Sequence, residues 1–176
     1  MIVDPSMMIE GYASVFGRAD SAGDVVARGA FSASLARRRP AGIKMLFQHD
    51  PGQPIGLWTD IREDGYGLKV QGLLAEGVER AEEIARLVRL GALDGLSIGF
   101  RTLHAQRDRV TGMRLLTAID LWEISIVTFP LLAEARLVTG PIASRPVQRE
   151  GLSASAIRAA AQSFLTSPAA NERTSR

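Results

Sequence analysis

Between residues 8 and 130 this 176-residue chain returns repeatedly to a two-residue apolar period, in short runs broken by Gly, Pro and charged turns. That period marks strands with one face buried, and it makes the chain mainly β. From Met8 to Phe16, Ile9, Gly11, Ala13 and Val15 alternate with Glu10, Tyr12 and Ser14. Further runs are expected at Ile43 to His49, Ile55 to Arg62, Tyr66 to Ala75 and Leu96 to Leu103. Glu63-Asp64-Gly65 is a tight-turn sequence that makes a hairpin of the two middle runs. Past the polar turn Arg107-Asp108-Arg109-Val110-Thr111-Gly112, Met113 to Phe129 is long for one strand; it should bend near Asp120, and Pro130 bounds it.

Two segments switch to a helical period. Ala30 to Arg38 is a short helix stopped by Pro40, and Val78 to Leu90 sets Ala81, Ile84, Ala85 and Val88 on one face with Gly91 as C-cap. Strands with two helices between them predict an α+β fold, a small, mostly antiparallel barrel or sandwich. Residues 1–139 form one domain; from about residue 140 Pro, Ser, Ala and Arg take over, which predicts a flexible tail with a short helix at 153–165.

Composition removes several functions. There is no Cys, so disulfides, thiolate nucleophiles and Cys zinc sites are excluded, and neither metal nor cofactor is expected. No run is long and apolar enough for a membrane span, and the first residues lack the pattern of a signal peptide. The tail holds five Arg against two Glu, net +3, leaving residues 1–139 with 16 basic and 17 acidic side chains. The one dense basic run, Arg37-Arg38-Arg39, reads as solvated surface, so no nucleic-acid partner is expected.

Only two histidines occur. A serine nucleophile needs an imidazole to take its proton and a third group to hold the imidazole. His49 closes the apolar run Met45-Leu46-Phe47 before a Pro-Gly loop, at a rim where a rigid strand presents a functional group. His104 lies seven residues along the strand from Ser97, roughly 20 Å away at the rise of a strand. Ser97 sits between Gly95 and Gly99, where a backbone can approach closely. The string Gly95-Leu96-Ser97-Ile98-Gly99 matches a nucleophile elbow, but no helix is expected after it and no His follows His104, so that fold is rejected. Glu123 is a carboxylate in an apolar strand, where an unpaired charge is costly; it either meets an Arg, such as Arg101 or Arg114, or orients a His. Asp50 is a poorer orienter because neighbours in an extended chain face opposite ways, and Asp120, three residues from Glu123, should face away.

Taken together, Gly11-Tyr12-Ala13 with Phe16, Asp24-Val25-Val26 with Gly29-Ala30-Phe31, His49 with Pro54-Ile55-Gly56, Gly95 to Phe100, and Glu123 to Pro130 resemble the HK97-type phage prohead proteases, over roughly residues 8 to 138. That family is similar to the herpesvirus maturation proteases, and the resemblance implies an antiparallel β-barrel flanked by helices. It implies a serine endopeptidase with His49 as base, Ser97 as nucleophile and Glu123 as third member, and backbone N–H groups of Ala135 and Arg136 at the oxyanion hole. Implied partners are the major capsid protein with its scaffolding segment, and the chain itself through autocleavage and as a homodimer. The implied place is the host cytoplasm, inside the assembling procapsid of a tailed phage, prophage or gene-transfer particle. The competing reading is a non-catalytic assembly barrel that binds capsid or scaffold.

Overall fold

A computed structural model describes Asp4 and residues 7–138; the expected tail and its helix at 153–165 lie outside the described residues. The strands are β1 (Met8–Val15), β2 (Asp24–Val26), β3 (Lys44–Phe47), β4 (Asp50–Glu63), β5 (Gly67–Leu74), β6 (Gly95–Arg107), β7 (Arg114–Val127) and β8 (Arg136–Leu137). Helices α1 (Ser32–Arg37) and α2 (Glu79–Arg89) fall where the helical period predicts them, and Gly91 closes α2 at φ 72°.

Seven strands close into a barrel in the order β7-β3-β4-β5-β1-β8-β6 and back to β7, while β2 extends the β7 edge. Of the two architectures left open by strand count, the closed one forms. Every seam of the barrel is antiparallel except β3–β7, which runs parallel from Lys44↔Glu123 to Phe47↔Ile126.

The interior is built from the alternating residues, including Trp58, Leu68, Val70, Ile119, Leu121, Ile124 and Ile126, with Ala81, Ile84 and Ala85 of α2 packed against it. Burying each large aliphatic side chain contributes about 1.5–3 kcal/mol. Met45 fills the space over two glycines: a Cβ at Gly56 would meet its Sδ at 2.7 Å, and one at Gly72 its Cε at 2.5 Å. Those strand glycines therefore admit a core side chain from β3.

Some boundaries differ from expectation, each for a local reason. β6 runs on to Arg107, four residues past the expected Leu103, because it stays paired with β7 as far as Arg114, and the short strands β2 and β8 were not expected. β4 begins at Asp50 because β3 and β4 are joined by only Gln48 and His49, and the Pro-Gly segment is absorbed by ladder irregularities between Met45 and Phe47. β7 carries a bulge at Trp122: Leu121 pairs with Phe100 and Glu123 with Gly99, leaving Trp122 unmatched. The bend expected near Asp120 is this bulge.

Candidate active site

His49 is presented by a tight turn. Gln48 and His49 have φ of 54° and 60°, the left-handed pair that a two-residue hairpin of matching twist requires. For side chains with a Cβ this costs roughly 1–2 kcal/mol per residue. Neighbouring groups hold the turn: Gln48 N–H donates to Ile126 O at 3.0 Å, Gln48 Nε2 to Thr128 Oγ1 at 2.7 Å, and His49 N–H to Ser125 Oγ at 3.2 Å.

The His49 ring lies between the two groups expected from the sequence. Nε2 is 2.9 Å from Ser97 Oγ and Nδ1 is 2.5 Å from Glu123 Oε1. An ionised carboxylate only accepts, so Nδ1 carries the proton and Nε2 offers its lone pair to the serine. The hydrogen bond to Glu123 is the main cause of a His49 pKa above its usual 6.5; burial opposes the rise and the charge of Glu123 adds to it. The imidazole is 43% exposed and the carboxylate 14%, so the ring is open to an incoming group while its partner is shielded.

Ser97, on β6, is buried and faces Ser125 across the β6–β7 ladder. Glu123 faces Gly99 on the same face, and a Cβ at Gly99 would overlap its Oε1. Ser125 joins the parts: fully buried, it donates to Glu123 Oε2 at 2.6 Å and accepts the His49 N–H. The carboxylate is thereby gripped at both oxygens. Sequence reasoning missed Ser125, although its place two residues from Glu123 on one strand face was a usable signal.

The remaining candidates are placed elsewhere. Arg114 binds Asp24 through Nε at 2.6 Å and Nη2 at 2.5 Å, and Arg101 lies 3.6 Å from Asp120, so neither arginine is the partner of Glu123. His104 is exposed on the outer part of β6, opposite Ala118. Asp50 folds back onto its own loop, accepting Gly52 N–H at 2.8 Å and Gln53 Nε2 at 2.9 Å. Strand alternation is not the reason it misses His49, because the turn is not extended. Alternation also fails for Asp120: the bulge resets it, so that Asp120 pairs with Arg101, two residues from Gly99. It is held there by arginines and by the Trp122 indole N–H at 2.9 Å.

A cavity of about 40 Å³ opens beside Ser97, walled in part by Ser14, Phe100, Leu131, Leu132 and Ala135. The Ala135 N–H is donated to Leu132 O at 3.0 Å and its carbonyl accepts Leu96 N–H at 2.9 Å, so Ala135 is not a free donor to an oxyanion in this structure. Arg136 lies in β8, pairs with Gly95 and Tyr12, and sends its guanidinium to Asp94 at 2.5 Å. Among the described residues no cluster of His, Asp and Glu is arranged to hold a metal ion, and no helix is long and apolar enough to cross a membrane.

A carboxylate, an imidazole and a serine hydroxyl bonded in that order form the arrangement that acyl transfer by a serine nucleophile requires. A family model described as Caudovirus prohead serine protease matches residues 3–148, and the chain belongs to that family. The prohead protease of Enterobacteria phage HK97 is 35% identical over 130 residues, 73% of this chain and 57% of that protein. The prohead protease of Escherichia phage T5 is 33% identical over 126 residues, 69% and 57% of the two chains. This chain thus spans a little over half the length of these curated relatives. Among solved structures, the bacteriophage T4 capsid assembly protease superposes with a TM-score of 0.58 at 15% identity, covering 70% of this chain and 82% of that one, a likeness of fold.

Proposed function

We propose that this chain is a serine endopeptidase of prohead maturation with Ser97 as nucleophile, His49 as general base and Glu123 as the group that orients and stabilises the imidazolium. The observation that carries the proposal is the continuous contact Ser97 Oγ, His49, Glu123, at 2.9 Å and 2.5 Å. Ser97 Oγ attacks a peptide carbonyl as its proton passes to His49 Nε2, and the imidazolium returns that proton to the leaving amine. Water, deprotonated by the same nitrogen, then hydrolyses the acyl-enzyme. The oxyanion would be stabilised from the wall formed by residues 135–136. Arg136, whose backbone lies in β8 between Tyr12 and Gly95, is retained as the proposed donor there.

The substrates we assign are the scaffolding part of the major capsid protein and the chain itself, whose Arg- and Pro-containing segment from residue 140 offers cleavable sequence. The place is the assembling procapsid. Family membership and the names of the phage relatives support this assignment. A barrel that only binds scaffold would have no use for a strained turn that points an imidazole at a buried serine.

Co-expression of the capsid protein with wild type and with Ser97→Ala tests the reading. Trimming by wild type alone is expected; equal trimming with both would remove Ser97 from the mechanism.

A further inference from the structure

We propose that the surface formed by Arg37, Arg38, Arg101 and Trp122 around the buried Asp120 is an exosite that grips an acidic segment of the protein substrate. The proposal rests on the protease reading above, because it places that segment on the polypeptide being cut.

Asp120 is the anchor. Its side chain is 4% exposed, and it receives Arg37, Arg38 with three contacts at 3.3 Å, Arg101 at 3.6 Å and the Trp122 indole at 2.9 Å. One carboxylate offers about four lone-pair sites, whereas three guanidinium groups carry about fifteen N–H donors. Most donors therefore remain for an external acceptor, and the charge of the cluster is three minus one, or +2. Arg37 bonds Asp120 through Nη2 and Arg101 pairs with it by charge at 3.6 Å, so at 56% and 63% exposure most of each fork is open. Guanidinium groups gathered at one carboxylate bind a further carboxylate at reduced ordering cost. Trp122, pushed outward by the bulge and 49% exposed, adds a flat apolar surface beside them.

Position links the patch to the chemistry. Ser97, Gly99 and Arg101 alternate along one face of β6, and four residues of strand place Arg101 roughly 13 Å from the nucleophile. An extended substrate crossing Ser97 reaches the patch about four residues from the scissile bond. The occupant is acidic protein and not nucleic acid, because the positive charge is confined: residues 1–139 carry 16 basic against 17 acidic side chains, and a polyanion needs a longer basic track. The chain's own sequence from residue 140, with five Arg against two Glu, lacks the acidic run such a patch would recognise.

The test uses the full chain as Ser97→Ala, with and without Arg37→Gln and Arg101→Gln, and a fluorescein-labelled decaglutamate peptide followed by anisotropy. Arg38 and Trp122 still hold Asp120 in the double variant, and its thermal unfolding confirms the fold. The expected result is at least about ten-fold weaker binding in the double variant, and loss of binding to the parent at about 0.5 M NaCl. Arg37→Lys with Arg101→Lys, which keeps charge but not the fork, should fall between. Equal binding by parent and double variant overturns the exosite. Tighter binding of a single-stranded oligothymidylate, lost in the double variant, overturns it in favour of nucleic acid. Because the peptide is neither cut nor needs cutting, these outcomes are independent of whether wild type trims capsid protein.

Discussion

Gly99 and Glu123 face each other across the β6–β7 ladder, and the glutamate carboxylate occupies the space that a side chain at position 99 would fill. The glycine behind the serine is thus a seat for the acid, not part of a nucleophile elbow. Gly99→Ala should fold, since its backbone is ordinary strand, yet displace the carboxylate from His49. The expected result is an approximately 10- to 100-fold fall in kcat/KM with little change in Tm, as for other displacements of about 1 Å at reacting groups. Unchanged kinetics would show that Glu123 can act from elsewhere.

The pH dependence has a definite sign. A general base works as neutral imidazole, so kcat/KM should rise with pH through a value above 6.5, mainly because of the hydrogen bond between His49 and Glu123. In Glu123→Gln the limb should move to lower pH while the plateau drops about 100-fold or more. The stability effect runs the other way. A raised folded-state pKa contributes stability that is fully present below the unfolded value and lost as pH rises through the folded one. The Tm gap between wild type and Glu123→Gln should therefore be widest near pH 6 and shrink toward pH 9. A gap that widens with pH contradicts the pairing.

Ser125→Ala removes one hydroxyl with two duties. It leaves the His49 N–H without its acceptor and one Glu123 oxygen without its donor. A loss of about 1–2 kcal/mol in stability is expected. The kinetic signature is a kcat decrease of about ten-fold with KM nearly constant, because the turn and the acid are loosened while the surface around Ser97 stays intact. A stability loss alone, with kcat unchanged, would reduce Ser125 to packing.

His49→Ala and His104→Ala should separate cleanly. The first removes the only imidazole in contact with Ser97; the second changes an exposed side chain on the outer part of β6. Capsid trimming should stop in the first and proceed at the wild-type rate in the second. Inactivity of both would point to a substrate contact along outer β6.

Much of this architecture was legible because two periods, two and 3.6, alternate clearly along the chain. Strands β1, β3, β4 and β5, helix α2 with its Gly91 cap, and the long β7 all follow local patterns that tertiary packing did not override, whereas the three-residue β2 has no pattern of its own and forms only by pairing with β7. Closure was legible through the resemblance, which implied the barrel that forms; the strand periods alone left barrel and sandwich open, since the pairings β1–β8 and β3–β7 join residues far apart in sequence. The site divided in the same way. Scarcity and the cost of a polar group in an apolar strand marked His49, Ser97 and Glu123 as candidates; their grouping as one site came from the resemblance. Ser125 was hidden because a buried strand serine carries no charge. The position of Asp120 depended on a one-residue bulge that alternation cannot reveal. Arginine partners could not be assigned either, because their long side chains reach acids two or three residues off any register.

The parallel seam between β3 and β7 also sets an order of events in time. Glu123, Ser125 and the Ile126 carbonyl that steadies the His49 turn all arrive with β7, the last long strand made. A nascent chain that has exposed the base and the serine still lacks the carboxylate, the turn's anchor and the strand that aligns β6. Assembly of the Ser97–His49–Glu123 contact therefore coincides with closing the barrel, and a chain interrupted before β7 lacks the proposed site.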